Sequence, residues 1–107
     1  MPICYMNVLK MGELELPNLY QVGSYKIFFW SNENNEPVHV HITSGNPSAN
    51  TTKIWLTSKG GCFAANNNSR IPSHDLRWLL RFVTANHEDI CAEWVQFFGS
   101  NSLTFYC

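Results

Sequence analysis

The chain has 107 residues, of which 45% are hydrophobic and 14% charged, and its formal net charge is −1. This length suits one domain, 1–107, and this composition excludes a disordered chain. A charge near zero excludes a global attraction to nucleic-acid backbones or anionic lipids. No apolar run approaches the roughly 20 residues that a bilayer requires, and the N-terminus lacks the features of a secretory signal, so we expect a cytoplasmic protein with no membrane contact.

The first half of the chain predicts an antiparallel sheet of three to five strands. A strand at 19–22 is followed by Gly23-Ser24, which suits a type II′ hairpin turn into the aromatic run at 25–30. That run is almost wholly apolar, so it predicts a central strand covered on both faces. Alternating or β-favouring residues predict the other strands, which are 13–16, 38–42, 51–56 and 62–65.

The second half predicts two helices that cover one face of the sheet, which makes the fold α+β. The predicted first helix has Ser73 as its N-cap, and its apolar residues recur at i, i+3, i+4 and i+7. A polar run that begins at Asn86 predicts a second N-cap, and Gly99 ends the second helix at about Phe98. The predicted apolar side of the first helix is Leu76, Leu79, Leu80 and Val83, widened by Trp78, Phe82 and Ala85. That of the second is Ile90, Cys91, Trp94, Val95, Phe97 and Phe98.

Cys4, Cys62, Cys91 and Cys107 are widely spaced and form no Cys-x-x-Cys pair. Two disulfide bonds would suit a secreted chain, but without a secretory signal we expect free thiols. Cys91 lies inside an apolar helical pattern and is predicted to be buried, whereas Cys107 is predicted to be accessible.

His39 and His41 are the first candidates for chemistry. Side chains at i and i+2 of a strand share one face with Cβ atoms about 6–7 Å apart, so both imidazoles could contact one divalent metal ion. A catalytic zinc site needs a third protein ligand, for which the candidates are Glu33, Glu36, His74 and His87. The alternatives are general acid–base work, or two packed imidazoles that are hydrogen-bonded to carboxylates or carbonyls.

Glu33 and Glu36 are the second candidates, because they lie three residues apart in the polar turn at 31–37. Such a pair could act as acid and base if their environments separate their pKa values. The alternatives are two solvated turn carboxylates, or a Glu33 that orients His39 or His41.

Arg77 and Arg81 are the third candidates. They lie one helical turn apart beside His74, so they could bind a phosphate or an acidic partner. The alternative is ordinary ion pairing with the nearby carboxylates Asp75, Glu88 and Glu93. Binding of nucleic acid would need more clustered lysine and arginine among the aromatic residues than this sequence has.

The chain contains four Trp, seven Phe and four Tyr, which is more aromatic surface than we expect a small core to hide. An exposed aromatic patch would mark a partner-binding face, and we take Trp55 as a candidate partner-binding residue together with the two arginines. Residues 103–106 predict an edge strand that could pair with another chain, including a second copy.

Four motifs in order carry a resemblance to a known family. They are an aromatic strand that leads into Ser31-Asn32-Glu33, then Glu36-Pro37-Val38-His39-Val40-His41-Ile42, then Lys53-Ile54-Trp55-Leu56, and a closing helix at 86–98. With these motifs the chain resembles the bacterial family catalogued as domain of unknown function 4160. It departs from the family pattern at Val38, where a second proline is usual, and at Val95, where a histidine is frequent. The resemblance implies a small α+β core at 23–99, with 1–22 and 100–107 outside it.

The resemblance implies a setting more than an activity. Genes of this family often neighbour another small gene in an arrangement similar to toxin–antitoxin pairs, and we expect such a setting or that of a mobile element. Our first hypothesis is therefore a non-enzymatic protein that binds a protein partner, with a homo-oligomer as a further option. The alternatives are a metal-dependent hydrolase or nuclease that uses His39 and His41, and a nucleic-acid-binding module that uses Arg77 and Arg81.

Overall fold

The structure, a computed structural model, describes residues 18–30, 35–45 and 50–107. Within these ranges the elements in chain order are β1 (Asn18–Val22), β2 (Tyr25–Phe28), β3 (His39–Ser44), β4 (Thr52–Leu56), β5 (Cys62–Ala64), α1 (Ser73–Ala85) and α2 (His87–Phe98). The strands form one sheet in the order β1-β2-β3-β4-β5, and every neighbouring pair is antiparallel. The predicted α+β fold is confirmed, while the predicted strand at 13–16 lies outside the described residues.

The turn between β1 and β2 has the predicted geometry. Gly23 has a φ of 60°, whereas the φ of Ser24 is not positive. A positive φ at the first central position alone is the mark of a type II′ turn, which favours glycine there. The turn sets the pairing of Val22 with Tyr25 and so brings the tip of the hairpin to a defined place.

β3, and not the aromatic run, is the central strand of the sheet. Its residues from His39 to Thr43 are buried, whereas Tyr25 and Lys26 at the start of β2 are only half-buried. The prediction for 25–30 is wrong in this respect. Phe29, beyond the end of β2, is buried by packing against a helix and not by a second sheet neighbour.

The two faces of the sheet differ in chemistry because side chains alternate along a strand. The helix face is aliphatic and fully buried, and it consists of Ile27, Val40, Ile42, Ile54 and Leu56. α1 covers it with the buried residues Leu79 and Val83. Ile90 and Trp94 of α2 belong to the same buried core, and the Trp94 ring also reaches His39 at the start of β3. The opposite face, which we call the histidine face, carries Phe28, His39, His41, Lys53, Trp55 and Phe63. Burial of each large aliphatic side chain contributes about 1.5–3 kcal/mol to this packing.

Asn67 fixes the approach of the chain to α1. Its Oδ1 accepts hydrogen bonds from Thr52 Oγ1 at 2.7 Å and from Ile71 N at 3.0 Å, and its Nδ2 donates to Ile71 O at 2.9 Å. The helix then begins at Ser73 with Pro72 as its N-cap and without a side-chain capping bond. The prediction of Ser73 as N-cap is therefore wrong by one residue.

The break between the helices is as predicted. Asn86 is the N-cap of α2, and its Nδ2 donates to Phe82 O at the end of α1 over 2.8 Å. Gly99, with a φ of 108°, follows the last residue of α2, Phe98. Phe97 is 40% exposed, so its predicted place on the buried side is wrong, because Phe98 takes the inner position against Phe29.

The C-terminal segment passes through a turn at 100–101 and forms no strand after it, so the predicted edge strand at 103–106 is wrong. It is held along the sheet by two backbone hydrogen bonds, from Val38 N to Thr104 O and from Ser58 N to Cys107 O, each 2.8 Å long. Leu103 and Phe105 pack against the core. Among the described helices, none is long and apolar enough to cross a membrane.

Candidate functional site

His39 and His41 lie side by side on the histidine face of β3, with ring centroids 5.0 Å apart. Both side chains are buried, with exposures of 1% and 6%. Nδ1 of His39 donates to the Pro37 carbonyl over 2.8 Å, and Nδ1 of His41 lies 2.8 Å from the Thr51 hydroxyl. The bond to a carbonyl places the proton of a neutral His39 on Nδ1, so Nε2 carries the lone pair.

Aromatic rings surround the two imidazoles. Four rings have centroids between 5.4 and 6.0 Å from one histidine or the other, and they belong to Phe28, Trp30, Trp55 and Trp94. This environment matches the alternative in which the histidines are packed and hydrogen-bonded.

The described residues contain no group of three His, Cys, Asp or Glu side chains that could hold a metal ion. Glu36 is bound to Lys53 at 2.5 Å, and His74 lies on the exposed side of α1. His87 Nε2 lies 2.7 Å from the Thr57 carbonyl oxygen, so it donates there. None of these three predicted ligands therefore joins the histidine pair.

Glu33 lies outside the described residues, so its part in a metal or acid–base site stays a prediction. Glu36, its predicted partner, forms an ion pair with Lys53, whose Nζ also lies 4.3 Å from the centroid of the Trp55 ring. A carboxylate that is already engaged by a lysine suits a structural ion pair.

Trp55 lies within an aromatic stack on the histidine face. The ring of Tyr106 is stacked on it with centroids 4.9 Å apart and an interplanar angle of 9°, and Phe63 lies 5.9 Å from Tyr106. α1 packs on the opposite face of the sheet. The structure therefore does not bring Trp55 together with Arg77 and Arg81, and the three predicted partner-binding residues do not form one surface.

A different surface collects the two arginines. We define the hairpin–α1 surface as the turn at 22–25 together with His74, Arg77, Trp78 and Arg81. The four helical residues have the spacing i, i+3, i+4 and i+7, so they form one stripe on the side of α1 that faces away from the core. Trp78 is 48% exposed in the middle of this stripe.

Two neighbouring depressions open on the hairpin–α1 surface. One has a volume of about 370 Å³ and lies between the hairpin turn and His74, Asp75 and Trp78. The other has a volume of about 120 Å³ and is lined by His74, Arg77, Trp78 and Arg81. His74 and Trp78 line both, so one ligand could occupy the two depressions at once.

Neither Arg77 nor Arg81 forms an ion pair or a hydrogen bond with another described residue. The alternative of ordinary pairing with Asp75, Glu88 and Glu93 therefore does not hold within the described part of the chain. Asp75 accepts a hydrogen bond from Tyr25 instead, at 2.6 Å. Two guanidinium groups one helical turn apart, unpaired within the described ranges, form a local cation site in a protein whose net charge is −1.

Residues 24–95, about two thirds of the 107-residue chain, match the model of the family described as Domain of unknown function (DUF4160). The protein belongs to this family. The match includes both the histidine pair and the whole of α1. No protein with a curated description and no solved structure gives a match.

Tyr25 fixes the hairpin of this DUF4160 protein to α1. Its phenol donates to Asp75, and that hydrogen bond, burial and the negative charge of Asp75 together raise the pKa of Tyr25 above its usual 10.0. Ionisation of the phenol would remove the bond and place two negative charges together. The stabilisation is therefore fully present below the usual tyrosine pKa and is lost as the pH rises through the raised one.

We expect Tyr25→Phe to lower the free energy of unfolding by about 1 kcal/mol at pH 8, because one partly exposed hydrogen bond is lost. At a pH above the raised tyrosine pKa the difference from the wild type should disappear. Urea unfolding of both proteins at the two pH values measures this. An equal difference at both values would show that the Asp75 bond does not stabilise the hairpin.

The described cysteines of this family member, Cys62, Cys91 and Cys107, are free thiols, as predicted. Cys107 is exposed, as predicted, whereas Cys91 is only half-buried, so its predicted burial is not complete. Burial raises the pKa of Cys91 from 9.0 to about 11, with a smaller contribution from the negative charge of Glu88. Burial also raises the pKa of Cys62, against a hydrogen bond to Thr84 that lowers it. Cys4 lies outside the described residues.

We expect iodoacetamide at pH 8 to alkylate the exposed Cys107 much faster than Cys91, because partial burial of Cys91 raises its pKa to about 11 and so lowers its thiolate fraction. Peptide mass spectrometry after timed quenching gives both rates. Unfolding in urea provides the control, because it should remove the difference. Similar rates in the folded protein would contradict the burial of Cys91.

Sequence reasoning found the cation stripe but missed the hairpin side of the surface. Val22, Gly23 and Ser24 were assigned only to a strand and a turn, because nothing in their types indicates which helix the turn will meet. The prediction that Trp78 widens the apolar side of the first helix is wrong, because its side chain is 48% exposed among the polar residues of the stripe.

Proposed function

We propose that this protein is non-enzymatic and binds a protein partner through its hairpin–α1 surface. We further propose that it does so in the cytoplasm of a bacterium, in a gene setting like that of toxin–antitoxin pairs. The observation that carries the proposal is an exposed Trp78, 48% accessible, between two arginines that have no ion pair among the described residues. Tryptophan and arginine are the residues most enriched among those that dominate binding energy at protein interfaces.

The charge of the surface favours an acidic segment as the occupant. Arg77 and Arg81 provide positive charge, and the only carboxylate among the described residues that line either depression, Asp75, accepts a hydrogen bond from Tyr25. The apolar walls around Trp78 exclude water from part of the contact, which strengthens charged hydrogen bonds there. A segment with acidic and apolar side chains complements both properties.

A nucleic acid would meet less favourable conditions. Lys53, the cation nearest the aromatic stack on the histidine face, is neutralised by Glu36. The cation stripe of α1 is limited to one helix face and carries one aromatic ring, whereas single-strand binding needs a longer basic groove with several stacking rings. The alternative function, a metal-dependent hydrolase, would have only His39 and His41 as metal ligands among the described residues. Its third ligand would have to come from outside them.

Site-specific photo-crosslinking in the native host tests the proposal. p-Benzoylphenylalanine replaces Trp78 in one variant and Phe97, which is 40% exposed on α2, in the matched control. We expect one dominant protein adduct at position 78 and none at position 97. Adducts of equal yield at both positions, or only self-adducts, would contradict a specific partner at this surface.

A further inference from the structure

We infer that the 370 Å³ depression is an anchor pocket that takes one aromatic side chain of the partner, while acidic side chains next to that anchor bind the arginine stripe. This inference rests on the proposed function and names what the surface recognises. The ligand class is a short segment that contains an aromatic residue followed by acidic residues.

The pocket has the size and walls that suit one ring. Its exposed lining is mostly apolar, and Val22, Tyr25 and Trp78 are among the residues that line it. Its volume of about 370 Å³ is near the lower end of ligand pockets, which span roughly 300–1,000 Å³. A ring that packs against the two aromatic walls gains about 0.5–1.5 kcal/mol per aromatic pair beyond the area it buries.

Contacts behind the pocket hold its walls in place. Trp78 is stacked on Phe82 with centroids 5.8 Å apart and an interplanar angle of 20°, and Phe82 meets the edge of Tyr20 in β1 at 5.0 Å. Gln21 Nε2 donates to the carbonyl oxygens of Gly23 and Tyr25 and so supports the turn. A pocket formed before the ligand arrives loses little conformational entropy on binding.

The second depression sets where the acidic residues must lie. Arg77 and Arg81 line it, and it shares His74 and Trp78 with the anchor pocket. His74 and Arg81 are seven residues apart, which is about 10 Å along the helix. Three extended residues also span about 10 Å. Acidic residues one and two positions from the anchor therefore reach the arginines.

Asp75 determines the orientation in which the ligand binds. Its carboxylate lies at the anchor pocket and accepts the Tyr25 hydroxyl, so it repels a second carboxylate there. The ring of the ligand must therefore enter beside Asp75, and its charges must lie toward Arg77 and Arg81. A ligand with the charge placed directly on the ring would be disfavoured.

Three capped tripeptides test the inference with the full chain. Acetyl-Trp-Glu-Glu-amide carries both features, acetyl-Trp-Gln-Gln-amide lacks the charges, and acetyl-Ala-Glu-Glu-amide lacks the ring. Titration of ¹⁵N-labelled protein by NMR gives each Kd and the amides that shift. We expect the first peptide to bind about tenfold more tightly than either control, with shifts at 22–25 and 74–81.

Variants separate the two parts of the site. In Arg77→Ala with Arg81→Ala, the preference for Glu-Glu over Gln-Gln should disappear while the preference for Trp over Ala remains. In Trp78→Ala, we expect the preference for Trp to disappear. Equal affinities for the three peptides, or shifts confined to the Trp55 and Tyr106 stack, would overturn the inference.

The outcomes distinguish this inference from the proposed function. A partner crosslinked at position 78, together with no preference among the peptides, would keep the proposed function and overturn the anchor pocket. The predicted peptide preference without any crosslinked partner would support the pocket and overturn the proposed function in that host.

Discussion

Trp94→Ala is expected to lower the free energy of unfolding by about 3–5 kcal/mol, the range for truncation of a large buried aromatic side chain. Trp94 is fully buried, its ring meets Phe29 at 5.0 Å and Phe98 at 4.4 Å, and its Nε1 donates to Ser102 O over 3.2 Å. Its removal leaves a cavity where α2, the end of β2 and the C-terminal segment meet. A domain of ordinary stability, about 5–15 kcal/mol, would lose a large part of its margin.

Trp78→Ala is the matched control, since it is the same substitution on the exposed side of the neighbouring helix. Trp78 is 48% exposed and touches Phe82, so we expect a loss of about 1 kcal/mol or less. Urea unfolding followed by circular dichroism measures both variants. Should Trp94→Ala not fold, Trp94→Phe should still be less stable than Trp78→Ala. Equal losses for the two alanine variants would contradict the assignment of Trp94 to the core and Trp78 to the surface.

Arg77→Glu combined with Arg81→Glu is expected to weaken partner binding by about a hundredfold or more, because two attractive contacts become repulsive. Neither arginine has an ion partner among the described residues, so the double variant should unfold at nearly the same urea concentration as the wild type. Wild-type binding should also weaken with added salt, since the screening length falls to about 8 Å at physiological ionic strength. Calorimetry with the crosslinked partner, once purified, measures the change.

Lys59→Glu combined with Arg70→Glu is the control for total charge. Both residues are exposed and line neither depression, so this variant makes the same change of net charge outside the proposed site. We expect its Kd for the partner to stay within about threefold of the wild type, because distant exposed charges are largely screened. An equal loss in both double variants would show that overall charge, and not the arginine stripe, controls binding.

Local chemistry was sufficient to predict most of the architecture. Gly23-Ser24 fits only a tight turn between strands, the spacing of Leu76, Leu79, Leu80 and Val83 fits only a helix, and Gly99 ends the second helix where predicted. These features depend on residues close together in the chain, so sequence patterns contain them.

The errors concern packing between distant segments. The apolar run at 25–30 is compatible with either a central strand or a strand that ends against a helix. The contact between Phe29 and Trp94 of α2 makes it the second of these. Residues 103–106 have strand character, but Val38 and Ser58 bind the segment along the sheet without forming a ladder. Phe97 and Phe98 have the same apolar character, and only the position of the sheet determines which of them is buried.

Only the part of the candidate site that depends on neighbouring residues was predictable. The stripe of His74, Arg77 and Arg81 follows from helical spacing and was found. The anchor pocket needs the hairpin turn beside α1, a contact made by the hydrogen bond from Tyr25 to Asp75 across fifty residues of chain. No local pattern predicts a contact of that separation.

Hydrogen exchange of the protein with and without its crosslinked partner tests the central claim most directly. The exchange of backbone amides at 22–25 and 74–81 should slow in the complex, and the amides of 62–64 and 104–107 should change little. Protection confined to 62–64 and 104–107, around Phe63 and Tyr106, would place the partner on the histidine face and contradict the account.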